Sequence, residues 1–203
     1  CQFDYFYEYL SILNYQEKIS FESMRAMIET KSDMHINNLF IGRNVNFRSS
    51  DFTSPFFNGS EGKYIKRIKA GDGRFISKKI FKSKPILSLN VHNQYGYSNI
   101  LLKALQNRSL LYVIMMRDPF YLIKEWHKGN WVKRIGKDER DFHLSINFNG
   151  KIIPWFTKEY ASDYIKANDL EKSILTVYQL YKRIFFMHKS SNRKEKQNTL
   201  IVF

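Results

Sequence analysis

Leu110-Leu-Tyr-Val-Ile-Met-Met-Arg-Asp-Pro119 is the stretch whose reading decides the fold of this chain. Seven apolar residues run unbroken to an arginine, and a proline follows two positions later. A short apolar run bounded in this way reads as a buried strand. Proline is favoured in the first turn of a helix, so a helix is expected from Pro119. Arg117 then stands at the carboxyl end of the strand, where open α/β sheets hold their ligands. Its planar fork can donate two parallel hydrogen bonds, which suits a phosphate.

Working outward, Pro85-Ile-Leu-Ser-Leu-Asn-Val91 alternates and reads as a strand ending at His92. Ser98 to Gln106 reads as a helix with Ile100, Leu101, Leu102 and Leu105 as its apolar face and Ser98 as N-cap. With the strand Leu110 to Met116 and the helix Pro119 to His127, the order is β-α-β-α. Parallel strands joined by right-handed crossovers are the expected result. Phe142 to Ile153 alternates on either side of Asn149-Gly150, a strong hairpin signal. Glu171 to His188 reads as a long amphipathic helix, with Ile174, Tyr178, Tyr181 and Phe185 on one stripe and Val177 and Ile184 beside it. Thr199-Leu-Ile-Val-Phe203 reads as a third parallel strand.

Towards the N-terminus, residues 4–30 read as helical. Residues 31–75 are broken by Asn, Gly, Ser and Pro into loops, with an exposed one from Ser54 to Gly62. The chain starts in a helix and stops in a strand, so it reads as an internal segment of a longer protein. The expected fold is a single incomplete three-layer α/β/α domain with a parallel sheet, truncated at both ends, with an inserted β-hairpin near 142–153.

Length and composition are those of a folded domain: 203 residues, 43% hydrophobic, 16% aromatic. One cysteine leaves no internal disulfide and no cysteine-based zinc site, and it leans towards a reducing, cytoplasmic setting. No run is long enough for a membrane span. The net charge of +14 favours anionic partners: nucleotide, nucleic acid, anionic lipid or polyanionic sugar. An AT-rich coding bias towards Lys, Asn and Ile would give the same balance without any such partner.

Two residues carry candidate chemistry. His92 and Arg117 would end neighbouring parallel strands and so share one rim of the sheet. A histidine there can act as a general base, since its pKa lies near neutrality. The ordinary alternatives are a hydrogen-bonded surface histidine and an arginine paired with Asp118. Trp126, Trp131, Trp155 and Phe156 could line an acceptor pocket, although core packing is the simpler role for them.

The strand, Arg117-Asp118-Pro119 and the following helix resemble the 3′-phosphate-binding segment of the sulfotransferases. These enzymes use 3′-phosphoadenylyl sulfate (PAPS) and have a fold related to P-loop kinases. Lys84-Pro-Ile-Leu-Ser-Leu-Asn-Val-His92 is similar to the family strand that ends near a catalytic histidine. The stretch from Trp131 through Phe142 to Ile153-Pro-Trp-Phe156 is similar to an insertion in bacterial members. The resemblance covers most of residues 84–203. It implies a P-loop NTPase-like fold and transfer of a sulfuryl group to a hydroxyl or amine, a glycan being one such acceptor, with no metal. It further implies that Arg117 binds the donor's 3′-phosphate and that His92 takes the acceptor's proton. Where the family has a serine on that phosphate this chain has Glu125; Lys124 and His127 are close enough in sequence to supply a cation, and on a helix they point in other directions. The competing readings are a non-catalytic basic module that grips nucleic acid or another polyanion, and a P-loop kinase-like phosphotransferase. No nucleic-acid motif is present, which weighs against the former.

Overall fold

The computed structural model describes residues 5–69, 75–92, 95–97, 99–135, 137 and 144–203. The architecture is mixed α/β and mostly helical, with a small parallel two-stranded sheet and a separate hairpin. Two helices open the chain, α1 (Tyr5–Tyr15) and α2 (Phe21–Ile41). The expected single helix over 4–30 breaks between them, where Glu17 takes a left-handed φ of 55°. Ser20 then caps α2 by accepting from the Ser23 N–H at 3.2 Å. At its far end Gly42 adopts φ 75°, and a Cβ there would meet Ile68 Cγ1 at 2.5 Å.

Residues 31–69 are more ordered than their composition suggests. They hold the second half of α2 and a short basic helix, α3 (Glu61–Lys69). The expected exposed loop from Ser54 is only partly exposed: Ser54 and Pro55 are buried, whereas Phe57 is 68% exposed. Asp51, Asn46 and Thr53 close this loop through side-chain hydrogen bonds of 2.8 Å. α4 (Ile76–Ser83) follows and packs on α2. It ends at Lys84 in a left-handed cap, since Pro85 cannot continue a helix.

The strand expected over Pro85–Val91 does not form. Residues 84–89 join no ladder, Asn90 makes a single isolated bridge, and Ile86 is 96% exposed. The alternation is present, but a strand needs a neighbour at ladder distance, and here an apolar cleft of about 490 Å³ intervenes. Leu87, Leu89 and Val91 line that cleft together with Leu110 to Met115.

The next helix is short, α5 (Ile100–Ala104), and the Ser98 cap expected for it lies outside the described residues. β1 (Tyr112–Met115) and α6 (Pro119–Lys128) follow as expected. After α7 (Trp131–Arg134) comes the hairpin of β2 (Ser145–Phe148) and β3 (Lys151–Pro154). The backbone φ values of 50° at Asn149 and 76° at Gly150 match a type I′ turn. The first residues of the expected hairpin, 142 and 143, lie outside the described residues.

A 3-10 helix (Trp155–Tyr160) and α8 (Ala161–Lys166) lead to the long α9 (Asp169–Ser190). Asn168 and Glu171 form a reciprocal capping box at its start. α10 (Arg193–Gln197) then feeds β4 (Thr199–Val202). β4 lies parallel to β1 with Val113 opposite Leu200 and Met115 opposite Val202.

Two strands make the parallel sheet, where three were expected. One face is covered: Ile114 and Met116 pack with Tyr95 and Leu102 against Tyr181, Ile184 and Met187 of α9. The other face is bare. Leu111 is 64% exposed, Val113 44%, Met115 74% and Leu200 49%. Parallel sheets are normally covered on both faces. Among the described residues this one has a helical layer on one side only.

The stripe expected on α9 is also revised. Its buried residues are Ser173, Thr176, Val177 and Leu180, while Ile174, Tyr178 and Phe185 are exposed. The remaining core joins α1, α2 and α5, with Tyr7, Leu10, Met24, Ile28, Ile100 and Leu101 inside. Full burial of each such aliphatic side chain stabilises the fold by about 1.5–3 kcal/mol.

Candidate functional site

β1 continues one residue past its last ladder position, as the Met116 N–H donates to Val202 O at 2.8 Å. Arg117 follows and is exposed. Its backbone is held on both sides by one hydroxyl on α9. The Arg117 N–H donates to Tyr181 Oη at 3.2 Å, and that hydroxyl donates to Arg117 O at 2.5 Å. The backbone position of Arg117 is therefore fixed while its side chain projects into solvent.

Asp118 does not neutralise Arg117. Its Oδ1 accepts from the Tyr121 N–H at 2.8 Å and caps α6, with Pro119 at the helix start. Among the described residues the Arg117 guanidinium has no hydrogen bond or ion pair. An exposed cation beside the amino end of a ten-residue helix favours an anion there. Lys124 is also exposed, about 8 Å along the α6 axis from Pro119 at 1.5 Å per residue. Glu125 is half-buried beside it.

His92 does not join Arg117 through the sheet. The strand that was to carry it is absent, so the two residues are not the ends of paired neighbours. The His92 ring instead contacts Tyr5 of α1, with centroids 5.7 Å apart and planes tilted by 38°. The β1-edge cleft of about 490 Å³ has none of His92, Arg117 and Lys124 among its lining residues. The same holds for a polar cleft of about 300 Å³ between α5 and α10, and for one of about 430 Å³ under the hairpin.

The aromatic cluster weighed as an acceptor pocket takes the simpler role of core. Trp155 and Phe156 are each 1% exposed and pack with Ile12, Tyr97 and Leu180, while Trp126 is half-buried against them. Trp131 stacks on Trp126 at 6.3 Å, and the Arg134 guanidinium lies 4.9 Å from the Trp131 ring centre. No group of three or more His, Cys, Asp or Glu side chains comes together as a metal site among the described residues.

A polar cluster that the sequence did not signal lies at the junction of α1, α9 and the 3-10 helix. Arg183 pairs with Glu159, donates to Tyr15 Oη at 2.7 Å, and sits 4.5 Å from the Tyr97 ring centre. Tyr15 also donates to Glu159. Tyr97 donates to Phe156 O at 2.6 Å, and its burial pushes the phenol pKa well above the usual range. Nearby, the buried Glu8 accepts from Trp155 Nε1 at 3.2 Å. A Cβ on Gly96 would meet Arg183 Cβ at 3.1 Å, so glycine lets the two segments approach. These groups satisfy one another, which makes the cluster a structural joint.

No protein-family model, curated protein or solved structure matches this chain.

Proposed function

We propose that this chain is a sulfotransferase domain that uses Arg117 to hold the 3′-phosphate of PAPS. The observation that carries the reading is the junction of β1 and α6. A parallel strand delivers an exposed guanidinium whose backbone is pinned by Tyr181, while Asp118 is committed to the helix cap. A guanidinium fork carried on a fixed backbone suits a phosphate, and the sequence around it resembles that segment of the PAPS-dependent enzymes. In this reading the parallel pair belongs to a three-layer, P-loop-like sheet.

The chemistry is in-line transfer of a sulfuryl group. The sulfur–oxygen bond to the adenosine 3′,5′-bisphosphate leaving group breaks as the acceptor oxygen or nitrogen bonds to sulfur. Arg117 orients the donor through its 3′-phosphate, with Lys124 as a second, more distant cation. His92 is the proposed base for the acceptor proton. It must approach the donor by a route other than strand pairing, because the segment before it is not in the sheet. The acceptor is a hydroxyl or amine, a glycan being one such class.

Calorimetric titration of the full-length protein with adenosine 3′,5′-bisphosphate tests the donor site; residues 1–203 alone are expected to be inactive. Arg117→Ala is expected to weaken binding by more than about 1.5 kcal/mol, the scale of a charged hydrogen bond. Equal affinity for adenosine 5′-phosphate, or an unaltered affinity in Arg117→Ala, would overturn the assignment. In a sulfuryl-transfer assay of the full-length protein, His92→Ala is expected to lower turnover far more than donor affinity.

A further inference from the structure

Between Phe52 and Ile86 several large apolar side chains are exposed. Phe52 is 77% exposed, Phe57 68%, Phe75 70%, Phe81 84% and Ile86 96%. Single exposed apolar residues are ordinary, but this many large ones in one basic segment point to a contact. The same 35 residues carry nine Lys and Arg against only Glu61 and Asp72. Their net charge of +7 is half of the chain's +14.

The local structure explains why these side chains face outward. α4 turns Ile76, 9% exposed, towards the protein and packs on α2. That rotation leaves Phe81 on the outer side between Lys78 and Lys82, both exposed. α3 is tied to the end of α2, where Arg67 donates to Leu39 O at 2.9 Å and lies over the Phe40 and Tyr64 rings. Ile65 and Ile68 on α3 remain 37% and 52% exposed. Both are short basic helices with apolar side chains left uncovered, which is the composition of segments that lie in a bilayer interface.

We propose that the exposed apolar and basic side chains of residues 52–69 and 75–86 dock on a bilayer containing anionic phospholipid. Phe75 and Phe81 enter the headgroup–acyl boundary, and the surrounding lysines bind the lipid phosphates and carboxylates. Charge complementarity selects this partner: seven of the nine cations are lysines, whose long stems lie along apolar material while the ammonium stays at the interface. Aliphatic Ile65, Ile68 and Ile86 suit acyl chains and offer nothing to a base stack, so lipid is favoured over single-stranded nucleic acid. No helix among the described residues is long and apolar enough to cross a membrane.

Co-sedimentation of the 203-residue chain with phosphatidylcholine vesicles, with and without phosphatidylserine, tests this. Binding is expected only where phosphatidylserine is present, and raised salt is expected to weaken it. Phe75→Ser with Phe81→Ser is expected to reduce partitioning at least about tenfold, from the apolar area withdrawn. Each Lys→Gln in α4 is expected to cost about fivefold. Circular dichroism must show that the exposed-site variants keep their helix content. Phe81→Trp supplies a second readout, since the fluorescence it adds should be quenched by brominated acyl chains. Absence of vesicle binding, equal binding to neutral vesicles, or no quenching of the fluorescence added by Phe81→Trp would each overturn the proposal. So would a double serine variant that binds like the parent, or complete displacement of lipid by an RNA oligonucleotide at matched charge.

Discussion

One phenol holds both backbone polar groups of one arginine: Tyr181 Oη accepts from the Arg117 N–H and donates to the Arg117 carbonyl. It replaces the pairing that Arg117 would make if β1 continued, and it couples the strand end to the middle of α9. The loop that presents the guanidinium is thus fixed by a residue 64 positions away.

Tyr181→Phe keeps the ring packed against Ile114 and Met116 and removes only the hydroxyl. The expected loss is about 1 kcal/mol, since the freed backbone groups are exposed and water can reach them. Urea denaturation measures it. On the proposed function, the variant should also bind adenosine 3′,5′-bisphosphate several-fold more weakly. Unchanged stability would show that the hydroxyl does not hold the loop.

Asp118→Ala removes the cap of α6 and should destabilise the chain by about 1 kcal/mol, whereas Asp118→Asn should retain most of that stability. If Asp118 instead served chiefly as a counter-ion to Arg117, Asn would behave like Ala. Thermal melts of the two variants separate these outcomes.

Asp33 on α2 accepts two hydrogen bonds from Arg108, at 2.6 and 3.0 Å. Those bonds hold its carboxyl below the usual carboxylate value. The lowered folded value means that the stabilisation is present above ~3.9 and is lost as pH falls through the folded pKa. Both side chains are substantially exposed, so the effect is at most about 1 kcal/mol. Asp33→Asn should therefore melt lower than the parent at neutral pH, and the two curves should converge in acid.

Buried phenols set the alkaline limit. Tyr97, Tyr160 and Tyr164 are each under a tenth exposed, and burial raises all three, Tyr164 to about 12. The raised folded values mean that their contribution is complete below ~10 and is lost as pH rises towards them. Phenolate absorbance is expected to grow in two phases, the second coinciding with loss of helical circular dichroism. A single phase near ~10 in folded protein would contradict the burial.

The parts of the fold legible in the sequence are those with local punctuation. Pro119 marks the start of α6, Asn149-Gly150 fixes the hairpin turn, and the apolar run from Leu110 specifies β1. Strand pairing is not a local property, which is why Ile86-Leu-Ser-Leu-Asn-Val91 has the pattern of a strand without a partner at ladder distance. On α9 the larger apolar residues Ile174, Tyr178 and Phe185 outweighed Ser173 and Thr176, although these small side chains are the ones that fit the packed interface. Of the candidate site, the junction at Arg117 was readable from seven consecutive apolar residues and a proline. The absence of His92 from the same sheet edge was not, because it depends on what β1 pairs with. Arg183 and Glu8 had no readable signal either, since their partners Tyr15 and Trp155 lie 168 and 147 positions away.

That separation bears on how the polypeptide matures during synthesis. Tyr15 leaves the ribosome 168 positions before Arg183, so this contact of the first helix must wait until that distant residue has been translated. Closing so long a loop is slow and leaves a nascent intermediate open to misassociation. A chain released before Arg183 is added would lack the end of α9, all of α10 and β4, and the clasp that draws these distant segments together.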